Sequence, residues 1–68
     1  MKVEKVEWDT LFLRIPMAEG EVNGKRFVLS MLADASGVLL EFQAERFLIK
    51  TIDIVEEILK QVENLASI

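Results

Sequence analysis

Few side chains in this 68-residue chain could do chemistry, and their types and spacing exclude most of it. Glu41 and Glu45 are the carboxylate pair with the best spacing for general acid–base work, but they share a face only if that stretch is helical. Ser30, Ser36 and Ser67 are the available hydroxyls. With no His and no Cys in the chain, none has the neighbouring base that makes a serine nucleophilic. The Ser36 hydroxyl is explained locally by its place in a turn. Gly20, Gly24 and Gly37 lie too far apart to form one phosphate-cradling loop. The acidic cluster Asp53, Glu56 and Glu57 could in principle hold a cation, but Glu57 lies about 100° around the helix from Glu56 and no imidazole or thiolate joins it. It reads as helix capping plus a solvated face. The expectation is therefore no catalytic residue, no metal ligand and no bound cofactor, in a chain that is not an enzyme on its own.

Two residues suggest recognition instead. Trp8 is the only Trp, and its indole can act either as a lid on the core edge or as an interface anchor. Arg14, between Leu13 and Ile15, is the best candidate for a polar group inside an apolar ligand pocket, although an outward-facing Arg is the favoured reading.

Composition sets the frame for these side chains. Hydrophobic residues make up 51% before glycine is counted, where an ordinary domain reaches about 45–50% with glycine included. A chain of this size buries only about 60% of its unfolded surface and usually needs a disulfide, a metal or a partner subunit to be stable. Without Cys or His, oligomerisation or very efficient packing remains. The net charge of −4, with basic residues scattered among acids, argues against direct nucleic-acid binding and against anionic membrane surfaces. The segment Met1 to Glu7 is charged throughout and no apolar run reaches the ~20 residues of a spanning helix. A cytoplasmic protein is expected.

The elements that must carry these residues follow from periodicity. From Ile52 to Ser67 the apolar and polar residues separate cleanly at about 100° per residue. Ile54, Leu65, Ile58, Val62, Val55, Ala66, Leu59 and Ile52 share an arc about 160° wide, wider than the ~100° needed to sit on a core. Asp53 and Glu56 form a D-x-x-E capping pattern, with Thr51 as the competing cap. A substitution such as Leu59→Asp in this arc is expected to destroy the fold. Residues 3–15 read as a first strand that ends at Pro16, with Trp8 and Phe12 on one face. Met17 to Lys25 reads as a turn region centred on Asn23-Gly24 and longer than a two-residue connection. Residues 25–33 and 38–43 are strands joined by the turn Asp34-Ala35-Ser36-Gly37, in which Gly37 would take positive φ. Residues 46–50 suit a short fourth strand better than a helix extension, because Ile49 would face the polar side and β-branched residues crowd the junction.

The expected fold is α+β in one domain over residues 1–68: a small antiparallel meander of three to four strands, then one amphipathic helix packed on a sheet face. That face is expected to be the one with Phe27, Leu29, Met31, Val38, Leu40 and Phe42. The opposite face carries Val28, Leu32 and Leu39 and is too apolar to face water. Trp8, Phe12, Val28, Leu32 and Leu39 are accordingly the candidate interface residues. The functional expectation is a small acidic protein-interaction module that self-associates, most simply as a homodimer, with room for a second protein partner. The alternative is a small-molecule-binding or accessory subunit with an apolar pocket between sheet and helix.

Overall fold

The computed structural model describes residues 2–67. It contains five strands, β1 (Glu4–Val6), β2 (Arg14–Val22), β3 (Lys25–Leu32), β4 (Gly37–Phe42) and β5 (Glu45–Lys50), and one helix, α1 (Thr51–Ala66). The strands form a single sheet in the order β1-β5-β4-β3-β2, antiparallel throughout. An α+β chain, with an antiparallel sheet followed by one C-terminal helix that packs on it at β5 and β4, is therefore the architecture.

The count of five strands differs from the expected three to four, for two local reasons. The stretch expected as one strand over 3–15 is broken after Val6 and resumes at Arg14. The stretch expected as a turn region instead carries most of β2, which runs through Pro16 to Val22. Pro16 sits inside this strand because β2 is an edge, where a missing ladder donor is tolerated. Its hairpin to β3 is the tight two-residue connection, with Asn23 at φ 52° and Gly24 at φ 76°. Both central residues at positive φ define the turn whose twist matches its strands.

Two other turns depart from the glycine rule. In the β3–β4 connection the positive φ falls on Ala35 (61°), not on Gly37. Gly37 is required for space instead: a Cβ there would meet the Ile49 carbonyl oxygen at 2.9 Å. The β4–β5 turn places Gln43 (φ 51°) and Ala44 (φ 61°) in the left-handed region, which costs a non-glycine residue about 1–2 kcal/mol.

Register assigns the faces. Leu39 pairs with Ser30 and Leu48, and Arg46 pairs with Glu41 and Val6; with Val28 and Leu32 these residues form the inner face. Leu40 pairs with Leu29 and Phe47, Val38 with Met31 and Ile49, and Phe27 with Phe42; these form the outer face. Burial concentrates on the inner face, where Leu39 has 0% exposure and Leu32, Ser30 and Arg46 are also buried. The outer-face residues Phe27, Leu29, Met31, Val38, Leu40, Phe42, Phe47 and Ile49 are only half-buried. The core thus lies on the face expected to be left over, and the face assigned to the helix keeps part of its surface.

The helix junction explains this inversion. No residue separates β5 from α1, whereas strand–helix connections commonly use about 2–6 residues to reverse direction. The Thr51 backbone N–H donates to the Ser36 carbonyl at 3.0 Å, and its hydroxyl donates to the Ala35 carbonyl at 2.6 Å. The first turn is therefore pinned to the β3–β4 connection. Neither expected cap forms: Lys50 occupies the cap position without a side-chain hydrogen bond, although Asp53 does lie in the first turn. Partial burial is confined to Thr51, Asp53, Ile54 and Glu57, and every residue from Ile58 to Ala66 is exposed. The helix leaves the sheet rather than returning across it, in a molecule 44 Å long.

Candidate interaction surface

Three structural units compete for the role of functional surface. The first is a knot around Arg46 on the inner face. The segment linking β1 to β2 folds over this face, and the Arg46 Nη1 donates to the carbonyls of Glu7 (3.4 Å), Trp8 (3.0 Å) and Thr10 (3.0 Å). The guanidinium carbon lies 5.2 Å from the Trp8 ring centroid and 5.3 Å from that of Phe12, within cation–π range. The Trp8 indole N–H donates to the Ala44 carbonyl at 2.6 Å, which ties the same segment to the left-handed β4–β5 turn. Arg46 is buried, its Nε has no hydrogen-bond partner among the described residues, and its cross-strand neighbour Glu41 is paired with Arg14. Carbonyl dipoles and two ring faces, not a carboxylate, hold this charge.

The second unit is the arc of the helix. Val55, Leu59, Val62 and Ile58 lie near its middle, with Ile52 and Leu65 at its flanks, and all are exposed, Leu59 at 55% and Leu65 at 70%. Of the partly covered positions, Asp53 and Glu57 lie on the polar side and Ile54 at the adjoining edge of the arc. The helix therefore meets its own sheet with a largely polar flank and turns its apolar arc outward. The expectation that Leu59→Asp destroys the fold is corrected by this placement, since the substitution buries no carboxylate within the chain.

The third unit is the outer face of the sheet. Near the Asn23-Gly24 end it bears a shallow, wholly apolar depression lined by Val22, Phe27, Leu40 and Phe42.

The candidate interface residues all lie on the inner face or in the segment folded over it, with none on the helix arc or the outer face. Leu39 presents no surface and Leu32 almost none; both are covered within the chain. Trp8 keeps 55% exposure but is engaged by Arg46 and Ala44. Phe12 and Val28 are half-buried, Phe12 beside Arg46 and Val28 opposite Glu19 and Glu41. Sequence reasoning missed Arg46 altogether. The available signal was its place in the alternation of β5, on the same face as Leu48, which puts a cation among inward-facing apolar residues.

The remaining chemistry is sparse. Arg14, the candidate pocket residue, is paired with Glu41. It lines an open cleft with Trp8, Thr10, Leu11, Phe12 and Arg46. The cleft beside the helix is lined by charged groups only: Lys2, Asp53, Glu56, Glu57 and Lys60. Among the described residues no cluster of three or more carboxylates is arranged to hold a metal ion, and no helix is long and apolar enough to cross a membrane. Glu41 and Glu45 stand on adjacent strands, where Glu41 pairs with Arg14 and Glu45 with Lys5 at 3.1 Å. None of the family models, curated proteins or solved structures compared with the chain matches it.

Proposed function

We propose that this chain is a non-enzymatic interaction module that self-associates as a homodimer. The observation that carries the proposal is the outward turn of the helix arc. Its size can be put on a scale. A folded monomer of 7.8 kDa is expected to expose about 4,400 Å², whereas this chain exposes 5329 Å². The excess, roughly 900 Å², is close to the ~800 Å² that each partner contributes to a standard interface. The radius of gyration, 13.8 Å, is likewise larger than the ~11 Å of a compact chain of this length. Such a chain has too little core alone, and the residues that would enlarge the core already face outward.

Less supports the small-molecule alternative, since Arg14 is spent on Glu41 and Arg46 on backbone carbonyls. The test is the solution mass between about 1 and 100 μM, with melting followed over the same range. A dimer with a melting temperature that rises with concentration is expected by mass action. A single 7.8 kDa species with a concentration-independent melting temperature overturns the proposal.

A further inference from the structure

We infer that the dimer forms by reciprocal seating of each helix on the outer sheet face of the other subunit; this rests on the self-association proposed above. The chain carries two unpartnered apolar surfaces of unlike shape, an outward helix arc and a half-buried sheet face. Helix on sheet is one of the few stable ways to bury such surfaces together. Within one chain the direct β5–α1 junction, pinned at Thr51, prevents the later turns from reaching that face. A second copy brings the missing layer.

The dimensions agree. The 16-residue helix is about 24 Å long. The eight residues of β3 extend about 26 Å. The outward arc is also wider than a helix–helix seam requires. Pairing two helices through their arcs would cover those arcs but leave Phe27, Leu40, Phe42 and their neighbours half in water. Seating each helix on the partner's sheet covers both surfaces in one two-fold interface, in which each contact occurs twice.

Edge pairing, the other simple route to a dimer, is blunted on both sides. β1 has three residues. β2 carries Pro16 and a register shift between Pro16 and Ala18, both devices that disfavour strand addition.

Because the chain has no native Cys, the arrangement can be read by cross-linking. One chain carries Leu59→Cys in the helix arc and the other Leu40→Cys on the outer face; they are mixed and treated with a short bismaleimide. A second pair, Val62→Cys with Val22→Cys, uses sites more than half exposed in the chain, where substitution leaves folding intact. The mixed dimer is expected to form at several-fold higher yield than either variant gives alone. If the unsubstituted chain is a dimer but Leu59→Cys links chiefly to itself, or neither mixture links, the seating is overturned while self-association stands. If the unsubstituted chain is a monomer by mass, both fail.

Discussion

The two faces of this sheet are finished by opposite means. The inner face is closed within the chain by a polar knot: one buried guanidinium collects the carbonyls of Glu7, Trp8 and Thr10 and draws two aromatic rings with them. The outer face and the helix arc are apolar, carry no such fastening, and remain open. The difference lies in how each covering segment is attached. The β1–β2 segment is irregular and can wrap, so directional hydrogen bonds can hold it in place. The helix is rigid and leaves β5 without a single linking residue, so its amphipathic pattern cannot act on its own sheet. An amphipathic helix thus specifies that something is buried, while the connection before it decides whether that something belongs to the same chain.

Breaking the knot should have the largest effect on the single chain. Arg46→Ala removes charge-assisted hydrogen bonds, each contributing about 1.5–3 kcal/mol, and two cation–π contacts of about 0.5–2 kcal/mol. The freed carbonyls lie in an exposed segment and recover water, which offsets part of the loss. A net destabilisation of about 3 kcal/mol is expected in denaturant unfolding, with Trp8 fluorescence shifting to that of a water-exposed indole. Unchanged Trp8 emission would show that the segment is held by apolar contact alone, and the contrast between the faces would disappear.

Breaking the open surface should give the reverse pattern. Leu59→Asp places a charge in the helix arc where the single chain leaves the side chain 55% exposed. Its effect falls on association, where the two-fold interface loses the same central contact twice, at about 2 kcal/mol each, and the dimer weakens by a factor on the order of 1,000. Sedimentation should show the shift toward monomer at micromolar concentration, while Trp8 emission stays as in the parent chain. Loss of the Trp8 environment in the monomeric variant would mean that the two regions fold as one unit.

The same contrast governs what could be read from the sequence. The helix, β3, β4 and β5 were legible because their apolar residues follow a clean period, 3.6 in one case and 2 in the others. β2 was not, because it is an exposed edge: Met17, Ala18, Glu19 and Gly20 need no apolar alternation, and Pro16 reads as a stop. The Gln43-Ala44 turn was hidden for a similar reason, since residues that tolerate positive φ poorly are held there by the strands and by the Trp8 hydrogen bond. Excess apolar content pointed to an open surface, but the sequence pattern assigned the helix to its own sheet. Periodicity gives the direction of a side chain relative to its own element, and it cannot give the direction of the element after a junction with no loop.

The smallest expected effect belongs to the turn that aims the helix. Asp34 Oδ1 accepts from the Ser36 hydroxyl at 2.6 Å and from the Ser36 backbone N–H at 3.0 Å. These bonds favour the ionised carboxylate, the side-chain bond most, and lower its pKa below the ordinary 3.8. The carbonyls of Ala35 and Ser36 in this turn are the acceptors that pin Thr51, so Asp34 acts on the helix junction and has no part in the Arg46 knot. A carboxylate with a depressed folded-state pKa contributes stability that is present above its ordinary pKa and is lost as pH falls through that value to the lowered one. Because the group is solvent-exposed, the contribution is small and screened by salt. Asp34→Ala should therefore lower the melting temperature slightly at neutral pH. Against the parent chain the difference should shrink as the pH falls from about 4 through the lowered pKa, below which the parent carboxylate is also neutral. Trp8 emission should be the same in both proteins across that range. A difference that persists undiminished at the acid end would mean that the turn is held by its backbone geometry and that the carboxylate does not help to aim the helix.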